Sequence, residues 1–324
     1  MRAPSFWYKP LGLEAIFLWP LGLIYRAVSN IKQLVIRPYN ALVPIICVGN
    51  IVAGGAGKTP AALVIAQILQ QHGQNPVFVT RGYGGKERGP LRVDLSLHSA
   101  LDVGDEALLL ARIAPTWIGR NRAAAVSVAQ AHGSHVIMDD GLQNPSIKPK
   151  LSFLVIDGSV GIGNGCLIPA GPLRETLEKA MPRITGVIFI GSEDRQKLIP
   201  RFRCPLFRAE IEPDLPPDFP RQQKFFAFCG IGRPEKFYET CRRSGIELVG
   251  TKDFSDHHFF STSELQKLQT LATTEGAKLL TTEKDWARLP GDFQSQILSF
   301  PINLIFNDPV AITQLVQNTT IIRQ

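Results

Sequence analysis

The sequence predicts an α/β fold, a doubly wound and mostly parallel sheet joined to a second, smaller α/β domain and preceded by a membrane-associated helix. Three observations predict it. From Val43 onward, short runs that are apolar throughout alternate with amphipathic segments, the pattern of strands buried on both faces and separated by helices. A glycine-rich loop follows the first such run, and a Pro-rich stretch later separates the first series from a shorter second one.

The chain's 324 residues suffice for one large domain or two ordinary ones. With 44% hydrophobic and 19% charged residues, its composition is that of a globular protein and excludes a disordered one. There is no low-complexity tract and no internal repeat.

The first segment, residues 1–40, is basic and apolar. Arg2, Lys9, Arg26, Lys32 and Arg37 stand against Glu14 alone, so more than half of the formal net charge of +7 sits there. A nucleic-acid binder more often carries a basic stripe within a folded domain; here the cations flank Leu11 to Tyr25, and no nucleic-acid partner is expected. Ala15 to Tyr25, interrupted by Pro20, is well short of the roughly 20 residues that span a bilayer. Trp7, Tyr8, Trp19 and Tyr25 favour the headgroup region. The reading is a helix lying in the membrane interface, with a helix packed on the domain as the alternative. No cleavage site of a signal peptide is visible.

Residues 41–210 form the first α/β series. Strands are expected at Val43 to Val48, Pro76 to Thr80, Thr116 to Gly119, His135 to Met138, Phe153 to Ile156 and Gly186 to Ile190. Helices are expected at Thr59 to His72, Asp105 to Ile113, Arg122 to His132 and Leu173 to Met181. A linker occupies 211–221, with Glu212 to Pro220 rich in proline. The smaller domain, 222–324, has strands expected at Lys224 to Cys229, Glu247 to Gly250, Lys278 to Thr281 and Ile302 to Phe306. Its helices run from Pro234 to Ser244 and from Thr262, read as an N-cap, to Glu275; the last residues are free to return to the first domain. Phe225, Phe226, Phe228, Phe259 and Phe260 fit a core, contact with lipid being the other reading. Cys47, Cys166, Cys204, Cys229 and Cys241 are odd in number and never form CxxC. They read as free thiols in a reducing compartment, with no zinc site.

The strongest local signal runs from Val48 to Pro60, a buried strand entering a loop that ends Gly57-Lys58-Thr59 before a helix. Gly54, Gly55, Ala56, Gly57, Lys58, Thr59 and Pro60 are expected to bind nucleotide. Glycines let backbone N–H groups approach phosphate oxygens, and the helix start adds its positive dipole end. Lys58 reaches the β- and γ-phosphates and Thr59 places a hydroxyl on Mg²⁺. The match to Walker A is imperfect, since Val52 stands where its first glycine belongs. This loop makes the first domain P-loop NTPase-type.

Asp139 and Asp140 end the run that starts at His135, the Walker B arrangement, and are expected to hold Mg²⁺ directly or through water. Asp105 and Glu106 open a helix. Acids there stabilise the helix dipole, and a carboxylate there can also take a proton from a substrate hydroxyl; spacing does not choose between the two. Asp256-His257-His258 reads either as a supporting histidine or as a solvent-exposed loop, and the third ligand of a zinc site is not visible.

Taken together and in order, these motifs resemble the tetraacyldisaccharide 4'-kinase family over nearly the whole chain. The set comprises the apolar basic N-terminus, Gly49-Asn50 through Pro60, Arg81-Gly-Tyr-Gly-Gly85, Gly104-Asp105-Glu106, Asp139-Asp-Gly-Leu-Gln143 and Pro169-Ala-Gly-Pro-Leu-Arg174-Glu175. It continues with Gly230-Ile-Gly-Arg-Pro234, Phe254-Ser-Asp-His257 and Thr282-Glu-Lys-Asp285. The resemblance implies transfer of the ATP γ-phosphoryl group to the 4'-hydroxyl of a tetraacyldisaccharide 1-phosphate, with Mg²⁺, giving the bisphosphorylated lipid A precursor lipid IVA. It implies a peripheral or monotopic enzyme on the cytoplasmic face of the inner membrane, with no obligate protein partner. It further implies catalytic roles for Lys58, for Asp105 as general base and for His257 as its partner. Thr59, Asp139 and Asp140 match the metal site. Arg81, Tyr83, Glu106, Arg122, Gln143, Arg174 and Glu175 match positions near substrate or phosphate.

Two rival readings use related loops. A membrane-cycling P-loop ATPase switch places a lysine just before the Gly-Gly pair, where this chain has Ala53. A GTPase usually carries Asn/Thr-Lys-x-Asp, and Thr282-Glu-Lys-Asp285 has its lysine one place late.

Overall fold

The structure, a computed structural model, describes residues 4–54, 57–197 and 199–319. Its larger sheet contains β1 (Ile45–Gly49), β2 (Pro76–Thr80), β3 (Leu91–Arg92), β4 (Thr116–Ile118), β5 (His135–Asp139), β6 (Leu151–Asp157), β7 (Gly186–Ile190) and β8 (Leu206–Pro213). The smaller sheet contains β9 (Phe225–Cys229), β10 (Leu248–Asp253), β11 (Lys278–Thr282) and β12 (Leu298–Phe300), and β13 (Ile302–Phe306) returns to the larger one.

The order in the larger sheet is β13-β8-β7-β6-β1-β5-β2-β4-β3. All neighbours from β8 to β4 run parallel. The outermost strands, β13 and β3, pair antiparallel. Every residue of β1, β2, β5, β6 and β7 is buried, as strands covered on both faces require. On one face Ile65, Ala66 and Leu69 of the helix Lys58–Gln71 pack with Ile46, Val48 and Ile137, joined by Ile312 and Val316 of the C-terminal helix Pro309–Gln317. On the other face Ala125 and Val126 of the helix Arg122–Ala129 pack with Cys47, Val77 and Val136.

The smaller sheet, β10-β9-β11-β12, is parallel throughout. Phe237, Tyr238 and Cys241 of the helix Pro234–Arg243 cover one face, and Leu265, Leu268 and Ala272 of the helix Thr262–Thr274 cover the other. Ser261, not Thr262, caps that second helix: its hydroxyl accepts from the Glu264 N–H, and Glu264 reaches back to the Ser261 N–H. Phe225, Phe228 and Phe260 are core residues, while Phe259 is exposed.

Two expected elements differ. Leu173 to Met181 is helical only from Leu177, as an α-turn over Leu177–Ala180 that continues into a 3-10 turn over Met181–Arg183. Before it, Leu173 bridges Val52 and the Arg174 N–H donates to Ile51 O at 2.7 Å, so this stretch braces the loop after β1 instead of coiling. Ile302 to Phe306, grouped on sequence with the second series, pairs with β8. The chain therefore crosses to the smaller lobe after Pro213 and returns beside its own exit, where the Asp214 N–H donates to Pro301 O.

The N-terminal helix, Leu13–Val35, runs through Pro20. Ala15 and Gly22, seven residues apart, are buried against the body, with Gly22 lying on Leu167. The Trp7 indole N–H donates to Pro169 O at 3.0 Å. Away from this stripe the apolar side chains are bare, Leu13 being 83% and Phe17 84% exposed. Among the described residues no helix is long and apolar enough to cross a membrane. All five cysteines are free.

Candidate active site

The C-terminal ends of β1 and β5 lie level, with Val48 opposite Asp139. Each strand therefore releases its chain into the same crevice, the usual ligand position of an open α/β sheet. After β1 the loop turns through Gly54 at φ 71° and enters the helix Lys58–Gln71 at Gly57. Gly57 has φ 93°, and a Cβ there would lie 2.2 Å from Ile190 Cδ1, so only glycine fits. Ala53 N–H donates to Pro172 O, fixing the loop from outside. Gly55 and Ala56 lie outside the described residues. Pro60 occupies the first turn, where its missing N–H costs nothing.

Lys58 and Thr59, both buried, reach the two acids after β5. The Thr59 hydroxyl donates to Asp139 Oδ2 at 3.1 Å, and Lys58 Nζ lies 3.3 Å from Asp140 Oδ2. Asp139 is fully buried and its Oδ1 has no partner. Burial, then the charge of Glu106, pushes its carboxyl up to about 7. Asp140 sits at φ 54° and receives Arg174 Nη1 on both oxygens, at 3.1 and 3.0 Å. Burial alone would raise Asp140, but Lys58 and Arg174 outweigh it and hold it below the usual carboxylate range. Arg122 is buried, donates to Gly119 O at 2.7 Å and leaves Nε without a partner. Burial lowers it to about 10 against the pull of Asp140 and Asp139.

The second half of the site crosses between the lobes. Asp105 and Glu106 open the helix Asp105–Ala111. His257 Nδ1, from the smaller lobe, lies 3.3 Å from Asp105 Oδ2, and Arg288 Nε lies 3.5 Å from the same oxygen. These are ion-pair approaches: Oδ2 has no well-aligned hydrogen-bond donor. Lys284 Nζ donates to Glu106 Oε1 at 2.7 Å. Lys284 lowers the Glu106 carboxyl, and Lys58 adds to the effect, so Glu106 lies between the two halves of the site. Tyr83, 60% exposed, meets the His257 ring edge-on at 5.2 Å between centroids. Arg81 is exposed beside it and close enough to act on Arg122.

Gln143 and Glu175 stand apart from this cluster. Gln143 Nε2 donates to Asn50 O at 2.8 Å and to Glu175 Oε1 at 2.9 Å, and Arg183 holds Glu175 Oε2 at 2.7 Å. They tie the chain after β5 to the segment that braces the glycine loop.

Lys284 and Arg288 were not singled out on sequence. Lys284 falls inside the quoted Thr282-to-Asp285 motif. Arg288 sits three residues beyond Asp285, and its 2.7 Å bond to that buried acid, itself bonded to the Gly230 N–H, aims it at Asp105. Asn50, buried with neither side-chain polar atom partnered, was read only as part of the loop. Among the described residues no group of three or more His, Cys, Asp or Glu side chains is placed to hold a metal. A Mg²⁺ site needs only one or two carboxylates when substrate phosphates complete it, and the unpartnered Asp139 Oδ1 beside the Thr59 hydroxyl fits that kind of site.

The family model for tetraacyldisaccharide-1-P 4'-kinase matches residues 14–320. Among curated relatives, a tetraacyldisaccharide 4'-kinase of Parvibaculum lavamentivorans is 48% identical over 298 residues, covering 89% of this chain and 87% of the relative. One from Bradyrhizobium sp. is 42% identical over 329 residues, covering 98% and 94%. A crystal structure of the "apo" form of LpxK from Aquifex aeolicus in complex with ATP superimposes with a TM-score of 0.77 at 23% identity, covering 94% of this chain and 99% of that one. These matches are to kinases, and they lend nothing to the ATPase-switch reading. The chain belongs to the tetraacyldisaccharide-1-P 4'-kinase family, phosphotransferases that act on a lipid disaccharide.

Proposed function

We propose that this protein transfers the γ-phosphoryl group of ATP to the 4'-hydroxyl of a tetraacyldisaccharide 1-phosphate, at the cytoplasmic face of the inner membrane. The observation that carries the reading is the meeting of Lys58, Thr59, Asp139 and Asp140 with the Asp105–His257 pair in one crevice.

The first domain acts as a P-loop kinase body. The loop from Gly54 to Pro60 cradles the phosphates, and Lys58 turns from Asp140 to the β- and γ-oxygens. Thr59 and Asp139 would hold Mg²⁺, with Asp140 beside them, and the bound ion would neutralise charge on the phosphates. Arg122 and Arg174 offset the negative charge around the transferring group. Asp105 accepts the proton of the 4'-hydroxyl, and His257 orients its carboxylate. Arg288 and Lys284 hold the Asp105–Glu106 turn from the other lobe, while Arg81 and Tyr83 border the acceptor side. Gln143 and Glu175 act by positioning the loops. Because phosphoryl transfer passes through a loose transition state, placement and charge outweigh the strength of the base.

The substrate's four acyl chains stay in the bilayer, so the headgroup must be met there. The bare apolar face of the helix Leu13–Val35 supports interfacial seating.

The test is transfer of label from γ-labelled ATP to tetraacyldisaccharide 1-phosphate in mixed micelles, for wild type, Asp105→Ala and Lys58→Ala. Labelled lipid from the wild type, falling about 10²-fold or more in each variant, is the expected result. ATP turnover without labelled lipid would overturn the reading.

A further inference from the structure

The underside of the N-terminal helix carries a charge arrangement that the phosphoryl-transfer site does not use. Arg26 and Asn30 are four residues apart on that helix and so share a face. Lys179 and Arg183 are four apart on the helical stretch Leu177–Arg183. The two pairs meet where Lys179 Nζ donates to Asn30 Oδ1. Arg183 Nη2 lies 2.7 Å from Glu175 Oε2 and donates to Leu142 O at 3.3 Å.

Arg183 is paired with Glu175, Lys179 lies within electrostatic reach of both, and Arg26 lies within reach of Lys179, so three cations gather where one carboxylate is present, an excess of two positive charges over that group. Lys179 registers the crowding: burial lowers it first, Glu175 pulls it up, and Arg183 and Arg26 push it down again. Arg26 and Arg183 are exposed and Lys179 is half-buried, so the cluster is open to a ligand. A phosphate monoester carries close to two negative charges at neutral pH, which matches the excess. Bare Ile24 and Val28 flank Arg26 on the helix. The anion that fits is accordingly the polar end of an amphiphile, not a free ion.

The cluster also adjoins the candidate active site along the chain. Arg174 and Glu175 are neighbours that point apart, Arg174 to Asp140 in the active site and Glu175 to Gln143 and Arg183. The cluster and the acids of the site thus lie on two sides of one short stretch of chain.

We propose that Arg26, Lys179 and Arg183 form the site that grips the 1-phosphate of the lipid disaccharide, at the end of the substrate away from the reacting hydroxyl. The proposal rests on the kinase reading above and adds the residues that select the phosphorylated form of the acceptor. The 1-phosphate, held here, sets how far the disaccharide enters the crevice.

The experiment compares two acceptors in neutral-detergent micelles, tetraacyldisaccharide 1-phosphate and the same lipid with a free 1-hydroxyl. Wild type, the double variant Arg26→Gln/Lys179→Gln and the conservative Lys179→Arg are assayed for kcat and KM. The wild type is expected to favour the phosphorylated acceptor by about tenfold or more in kcat/KM, the scale of a charge-assisted contact. The double variant should lose that preference through KM with kcat retained, and Lys179→Arg should keep it. A double variant that still discriminates would overturn the proposal, as would a wild type that phosphorylates both lipids equally. If the double variant keeps its discrimination but, relative to wild type, loses binding to vesicles containing phosphatidylglycerol and not to all-phosphatidylcholine vesicles, the cluster reads bulk anionic lipid and the proposal also fails. No label on either lipid from the wild type would remove the kinase reading itself, a different result from any of these.

Discussion

At Asp105 and His257, burial and pairing pull in opposite directions. Burial would raise the Asp105 carboxyl, yet His257, Lys284 and Arg288 together hold it down at about 2. His257 is raised by its close pairing with Asp105, against the opposite effect of burial. A histidine whose folded value is raised contributes stability that is complete below its unfolded value, about 6.5, and fades as pH climbs through the folded value. A lowered carboxylate contributes above its ordinary 3.8 and loses that contribution as pH falls through about 2. The pair is therefore worth most between about pH 4 and 6.5. His257→Gln should lower the thermal midpoint relative to wild type at pH 5 to 6, with the gap narrowing toward pH 9. Equal gaps at both ends, measured by thermal melting across pH, would mean that the pair is not an ion pair. The same environment keeps Asp105 ionised at neutral pH, so an acidic limb in the rate profile would have to arise from another group.

Among the elements, the N-terminal helix has the most unusual surface. It touches the body along a stripe through Ala15 and Gly22 and leaves Ile16, Phe17, Trp19, Ile24 and Ile31 bare, far more apolar surface than a helix facing only water keeps. Deleting residues 1–30 should sharply reduce cosedimentation with vesicles while the sheet core, which contains none of those residues, still folds. Full sedimentation of the truncated protein would contradict the membrane role. The other elements differ in how readable they were. β2 and β7 start and end where their apolar runs do, because strands buried on both faces are written as uninterrupted Val, Ile and Phe. The loop and the acids after β1 and β5 could be placed because each directly follows such a run. β13 could not be assigned to its sheet, since antiparallel pairing with β8 joins residues far apart in the chain and leaves no local pattern. The stretch before Leu177 looked helical by spacing, but its backbone is committed to the loop through Leu173 and Arg174, a tertiary demand that periodicity does not register. Arg288 leaves no local signal for a related reason: its approach to Asp105 is a contact between lobes.

Over the whole molecule, the site exists only while the two lobes are held together. The larger lobe supplies Asp105 and Glu106, and the smaller lobe supplies His257, Lys284 and Arg288. The chain crosses between them twice, side by side near Asp214 and Pro301, which leaves rotation about that crossing to be restrained by contacts elsewhere. Asp157, at the end of β6 and nearly fully buried, supplies one such restraint. Its Oδ2 takes Arg233 Nη2 at 2.7 Å and Lys236 Nζ at 3.3 Å, both from the smaller lobe, and its Oδ1 accepts from the Ser159 hydroxyl. Burial would raise this carboxyl, but Lys236 and Arg233 hold it below the usual range, so it is charged whenever the protein is folded near neutrality. Asp157→Ala would leave two cations facing the larger lobe without their shared counter-charge. The two cations left behind are about a third exposed and can turn to water, so the loss falls on the tie itself, and the lobes should shift apart. A shift of about 1 Å at the reacting groups is enough to cost on the order of 10²-fold in rate. The expected outcome is therefore a fall in kcat with little change in ATP affinity, because Lys58, Thr59 and Asp139 all belong to the larger lobe. Steady-state kinetics with a separate ATP-binding titration checks it. An unchanged kcat would mean that the contacts of His257, Lys284 and Arg288 set the lobe placement by themselves, and that Asp157 serves only the local turn at Ser159.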